Sequence, residues 1–164
     1  MARELINGVP NVFGATAVNS GLPAKTEDPV EQCIVVDWSF DNLPMATAAN
    51  FADAGNQQIP RGSFVVASRL EIVTAFAGGT SYVIGLVQAD DGTTAISANG
   101  LMTATELVLA GMTPSGKWLL GAGALNGAVS STTKAGLIKV AATGTFTAGR
   151  AKLYVTYIPS SVFS

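Results

Sequence analysis

The chain has 164 residues, with 9 Lys or Arg against 11 Asp or Glu, 18 Gly, one Cys and no His. The missing histidine removes every Ser-His or Cys-His catalytic device and every His-ligated metal site. One cysteine makes neither an intrachain disulfide nor an all-cysteine zinc cluster, and a net charge of -2 argues against nucleic acid, which normally meets a basic stripe.

A chain this long implies one domain with an appended arm, large enough to bury about two-thirds of its unfolded surface without a staple. The first apolar run, Leu5-Ile6, is far shorter than the roughly 7–15-residue core of a signal peptide. No stretch approaches the roughly 18 apolar residues of a membrane span. The expectation is folding in a reducing cytosol, with no membrane partner.

Residues 1–30 keep no period, because Val9-Pro10, Phe13-Gly14, Ser20-Gly21-Leu22-Pro23 and Asp28-Pro29 interrupt it. They are nevertheless too apolar for a disordered tail. Leu5, Ile6, Val9, Val12, Phe13, Val18 and Leu22 mark an extended arm that buries these side chains on its own domain or on a neighbour. Residues 31–164 form the second region, a β domain.

From Cys33 the pattern has a period of two. Ile34, Val36, Trp38 and Phe40 share one face, and Val35, Asp37 and Ser39 the other. Asp41-Asn42-Leu43-Pro44 closes that strand with turn chemistry. Met45 to Gln58 is Ala-, Asn- and Gln-rich, and reads as a long loop or short edge segments. After the turn Ile59-Pro60-Arg61-Gly62, a strand sets Leu70, Ile72, Thr74 and Phe76 against Arg69, Glu71, Val73 and Ala75. Gly78-Gly79-Thr80 then predicts a hairpin into a strand with Tyr82, Ile84 and Leu86 on one face. Asp90-Asp91-Gly92 is a further turn.

Thr103 to Glu106 has capping-box spacing before Leu107-Val108-Leu109, so a short helical turn is expected there. Strands follow near 117–120, 136–142 and 150–158. In the last, Leu153, Val155 and Tyr157 oppose Lys152, Tyr154 and Thr156, and residues 143–149 join the final pair. The sum is an all-β fold, a jelly-roll-like antiparallel β-sandwich of about eight strands.

Several motifs resemble chemistry and have a plainer reading. Gly111 to Lys117 spells GxxxxGK, yet Trp118 stands where a P-loop needs Ser or Thr, and a strand follows where it needs a helix. Gly121 to Gly127 has dinucleotide-type glycines without the βαβ setting, so the glycines serve a packed loop. Asp90 and Asp91, with Asp53 or Glu106, could supply oxygens to a cation or a metal-dependent hydrolase, although an Asp-Gly turn explains the same residues. Cys33 lacks an activating base and reads as a small semi-buried residue. Asp37 and Asp41 are the nearest paired carboxylates, one on an outward face and one in a turn. Trp38, Tyr82, Trp118, Tyr154 and Tyr157 could make a sugar platform. Core or interface packing is favoured, with Tyr154 the best surface candidate. No catalytic residue, cofactor or metal ligand is assigned.

The segment Ile59-Pro60-Arg61-Gly62-Ser63-Phe64-Val65-Val66-Ala67-Ser68-Arg69-Leu70-Glu71-Ile72 resembles one in small virion proteins of tailed bacteriophages. So does Thr80-Ser81-Tyr82-Val83-Ile84-Gly85-Leu86, continuing to Asp90-Asp91-Gly92-Thr93. In that family an Ile-Pro-x-Gly turn opens a strand, and a Gly-Leu-x-x-x-Asp strand end follows. A loop of small residues then leads to a strand like Arg150–Ile158. The resemblance spans roughly residues 33–158 and includes no catalytic signature. It implies a non-enzymatic capsid decoration, or cement, protein on the virion exterior, made in the bacterial cytoplasm and bound to the major capsid protein. Family members are commonly jelly-roll trimers or dimers, and a homo-oligomer, trimer before dimer, is expected. On this reading the 1–30 arm docks, and Tyr154, Val162 and Phe163 are oligomer contacts. The alternative is a tail or receptor-binding module that recognises host glycan through clustered surface aromatics.

Overall fold

The computed structural model describes residues 31–43 and 58–160 in full, together with the backbone of two short strands nearer the N-terminus. The chain divides into two compact units, Met1–Val30 and Glu31–Ser164. In the first, β1 (Arg3–Ile6) and β2 (Val9–Val12) pair antiparallel, Arg3 opposite Val12 and Ile6 opposite Val9. The sequence reading expects no regular element here. The signal it passes over is Asn7-Gly8, the dipeptide most favoured between two short hairpin strands.

In the second unit the strands are β3 (Gln32–Ser39), β4 (Gln58–Ile59), β5 (Phe64–Gly78), β6 (Ser81–Gln88), β7 (Ala95–Met102), β8 (Trp118–Leu120), β9 (Ala128–Val129), β10 (Gly136–Thr143) and β11 (Phe146–Ile158). They form two antiparallel sheets, ordered β3-β11-β5-β8 and β4-β10-β6-β7. β8 and β9 pair with the same strand, β8 along Arg69–Glu71 and β9 along Phe64–Val65, so they act as one interrupted edge strand. Counted that way the described residues form eight strands in two sheets of four. Between successive strands the chain changes sheet every time except from β6 to β7, which are hydrogen-bonded neighbours. This is the strand order of a jelly roll.

Alternation explains why these segments are strands. Ile34, Val36 and Trp38 on β3, and Leu153, Val155 and Tyr157 on β11, are buried, while their odd-step neighbours are not. Leu70, Ile72 and Phe76 face the same core from β5, and Tyr82, Ile84, Leu86, Ile138 and Val140 face it from the other sheet. Two positions depart from the period. Phe40 leaves the strand in a turn, where its amide bonds to the Gly149 carbonyl at 3.0 Å, and it is partly exposed. Thr74 is exposed beside a register shift between β5 and β11.

Gly78-Gly79-Thr80 does not make the expected hairpin. β5 and β6 lie in opposite sheets, so these residues carry the chain across the sandwich. The physical reason lies in the flanking aromatics. Phe76 and Tyr82 meet edge-on at 5.4 Å between ring centroids, and Tyr82 also stacks on Phe146 at 4.1 Å and abuts Trp38 at 4.9 Å. Joining those rings from two sheets requires a crossing. Gly79 has φ +63, and a Cβ there would fall 2.4 Å from the Phe146 ring. The join from β10 to β11, which the sequence reading spreads over 143–149, is likewise a crossing, and it needs only Gly144-Thr145.

Near residue 103 the capping box forms without a helix. The Thr103 amide donates to Glu106 Oε2 at 2.7 Å, and the Thr103 hydroxyl to Oε1 at 2.7 Å. The helical element that follows the capping box is a 3-10 turn, Leu109–Gly111.

Candidate binding surface

The solvent face of the β3-β11-β5-β8 sheet carries the most distinctive side chains. Register places them in two rows. Asp37, Lys152, Glu71 and Trp118 lie side by side across the four strands, and Val35, Tyr154, Arg69 and Leu120 form the adjacent row. Their outward direction follows from strand parity, since the residues between them fill the core. Val35 is 51% exposed, Trp118 52% and Leu120 70%, so a band of apolar groups, interrupted on β5 by Arg69 and Glu71, crosses the sheet.

The Trp118 and Tyr154 rings pack together at 5.3 Å between centroids, tilted by 33°. The Tyr154 hydroxyl donates to Glu71 Oε2 at 3.1 Å. Partial removal from water, then the adjacent Glu71 carboxylate, hold the Tyr154 phenol above its ordinary pKa. It therefore stays a neutral donor at physiological pH. On the neighbouring row Arg150 grips Asp37 with both arms of its guanidinium, Nε to Oδ1 at 2.9 Å and Nη2 to Oδ2 at 2.7 Å. That hydrogen bonding lowers the Asp37 pKa against a smaller opposing effect of burial. The fork fixes geometry more than it adds stability, because exposed ion pairs contribute about 0–1 kcal/mol.

The other sequence candidates separate. Trp38, Tyr82 and Tyr157 are core residues, the last donating its hydroxyl to Gln32 Oε1 at 2.7 Å. The five aromatics therefore do not make one platform. Cys33 is exposed on the outward face, a correction to the semi-buried reading that its parity with Val35 explains. Asp37 is held by Arg150, whereas Asp41 accepts from the Ser39 hydroxyl at 2.6 Å, so they do not act as a pair. The arm residues Leu5, Ile6, Val9 and Val12 fall on β1 and β2, but their side chains lie outside the described residues, as do Phe13, Val18, Leu22, Asp53, Val162 and Phe163.

The acidic turn is occupied by protein groups. Asp91 Oδ1 accepts from the amides of Thr93 and Thr94 at 2.8 and 2.9 Å, and Asp90 pairs with Lys134. Glu106 is spent on its capping box and on the Ala122 amide at 3.3 Å. Among the described residues no three Cys, Asp or Glu groups gather as metal ligands. The GxxxxGK segment runs from the 3-10 turn through a tight turn into β8, with no helix to receive phosphate.

Gly121 to Gly127 is the packed loop the sequence suggests. A Cβ at Gly123 would lie 2.3 Å from the backbone of Gly100, so loop and β7 touch main chain to main chain. Asn126 secures the contact, its Nδ2 donating to the carbonyls of Leu101 and Gly123 at 2.7 and 3.1 Å. Its Oδ1 accepts from the Ser68 hydroxyl at 2.9 Å.

The opposite sheet has a shallow depression of ≈ 120 Å³ bordered by Val83, Val87, Ala95, Ala98, Lys139 and Ala141. Ligand pockets run to roughly 300–1,000 Å³, so this one accommodates no more than a side chain. What the sequence reading misses is the band itself. Val35 was legible from its parity with Asp37, but the unbroken run Trp118-Leu119-Leu120 does not reveal which residues face out.

Comparison with protein-family models, with characterised proteins and with solved structures finds no match to this chain.

Proposed function

We propose that this protein is a non-enzymatic, homo-oligomeric capsid decoration protein of a tailed bacteriophage, bound to the major capsid protein on the outside of the shell. The observation that carries the reading is the apolar band of Val35, Tyr154, Trp118 and Leu120 on the outward sheet face, set among charged neighbours. Large exposed aromatic and aliphatic groups of this kind mark interaction surfaces. Trp and Tyr are enriched among residues that dominate protein contacts. The jelly roll provides a rigid support, and the Met1–Val30 unit supplies a second docking element. Many modest contacts repeated over a lattice give avidity beyond each contact. On this reading Tyr154, Val162 and Phe163 serve contacts between copies.

The glycan-binding alternative would use the Trp118–Tyr154 pair as a stacking platform. Two rings packed on each other leave less free ring face for a sugar, and so support it less well than they support a protein contact.

The test is co-sedimentation with capsids that lack decoration protein, using the full chain and a form without residues 1–30. Stoichiometric co-sedimentation of the full chain, lost in the shortened form, is expected. If neither form binds, the shell reading falls and glycan binding replaces it.

A further inference from the structure

The two sheets have four edges, and three are guarded. β4 has two residues, β8 and β9 are an interrupted three and two, and β7 shifts register against β6 between Ile84 and Leu86 and again between Leu86 and Val87. Short strands and bulges are the usual means of keeping an edge from pairing with another chain. β3 has neither. It runs eight residues, Gln32–Ser39, pairs with β11 without a register shift, and contains no Pro, Lys or Arg. Among the described residues its other side is open from Gln32 to Trp38, and only Ser39 is taken there, its carbonyl accepting from the Asn42 amide at 3.1 Å.

We propose that this edge pairs antiparallel with β3 of a second copy, about a two-fold axis at Val35. Residues directly opposite in an antiparallel pair point to the same face, so a self-pairing strand must be centred on a residue. Centred on Val35, that side chain meets Val35 of the second copy, and Ile34 meets Val36 on the core side. Centred one residue on, Val35 would press an isopropyl group on Asp37 and its Arg150 partner. The first register buries apolar surface that is 51% exposed in the single chain. The second desolvates an ion pair.

Charge favours the same occupant. Asp37 is the one charged residue of the strand and is already gripped by Arg150, so two copies meet without like charges opposed. The Val35–Tyr154–Arg69–Leu120 row then continues through the axis into the same row of the second copy, giving one sheet across both. This pairing is isologous and closed, and it gives a two-fold assembly in place of the trimer that the family resemblance favours. It does not depend on the shell reading.

Sedimentation equilibrium of the full chain tests it, with two variants. The expected mass is that of two chains, and Val35→Lys, on an exposed outward site, weakens association at least tenfold while leaving the thermal melt in place. A Cys33→Ser, Val35→Cys double variant forms an intermolecular disulfide under mild oxidant, because opposite Cα atoms about 4.5–5.5 Å apart fall within disulfide reach. Cys33→Ser, Asp37→Cys does not, because its new thiols face position 33. A mass of one or three chains, association indifferent to Val35→Lys, or cross-linking at 37 instead of 35 overturns the proposal.

Discussion

At the scale of single residues, the buried phenol of Tyr82 is the clearest test of the core. Its hydroxyl has no hydrogen-bond partner among the described residues, and burial pushes its pKa up to about 12. An unpaired buried hydroxyl costs about 1–3 kcal/mol. Tyr82→Phe is therefore expected to be neutral or to stabilise by about 1 kcal/mol in urea unfolding. The pH dependence has a definite sign. The folded pKa lies above the unfolded value of about 10, so the stability of the neutral phenol is complete below pH ~10 and lost as pH rises toward ~12. Alkaline unfolding in that window should be later in Tyr82→Phe. Asp91 behaves oppositely. The Thr94 hydroxyl first, then the Thr93 and Thr94 amides, hold it down at about 2. Its contribution is present above the unfolded pKa of about 3.9 and lost as pH falls toward ~2. Asp91→Asn should melt earlier than the parent at pH 7, and the two melting curves should converge near pH 2. Convergence at higher pH, or a gap persisting in acid, would contradict the role given to the turn.

At the scale of elements, the close approach of the 121–127 loop to β7 predicts a costly substitution. Gly123→Ala places a Cβ 2.3 Å from Gly100 main-chain atoms that cannot swing aside. Overpacking of this kind costs about 1–3 kcal/mol, readable as a lower urea midpoint at unchanged slope. The glycine pattern was legible as a packed loop from sequence, because it lacked the helix that a nucleotide site requires. β3 and β11 were legible too, since Ile34, Val36 and Trp38, and Leu153, Val155 and Tyr157, alternate cleanly between core and solvent. The crossing at Gly78-Gly79-Thr80 was not. A hairpin and a sheet-to-sheet crossing use the same glycines over the same few residues, and only the meeting of Phe76, Tyr82 and Phe146 inside the sandwich distinguishes them. Phe40 was misplaced for a related reason, as periodicity does not say where a strand stops.

At the scale of the whole molecule, the strand order and the outward band belong together. Jelly-roll connections use nearly every join to cross between sheets, so four strands distant in sequence bring Val35, Tyr154, Glu71 and Trp118 to one face. Tyr154 was identifiable from sequence as a surface aromatic. Its pairing with Trp118 was not, because it depends on which strand lies beside β5. Trp118 is half-exposed, so Trp118→Ala should change stability by no more than about 0.5 kcal/mol. On the proposed reading Trp118 is an aromatic anchor of the contact, and it should then contribute at least about 2 kcal/mol to binding, equivalent to about a 30-fold loss of affinity. The measurement that tests the account most directly is a binding isotherm of parent and Trp118→Ala chains on undecorated capsids. The account predicts saturable, stoichiometric binding by the parent and at least about a 30-fold weaker isotherm for the folded variant. No saturable binding, or identical isotherms for the two chains, would contradict it.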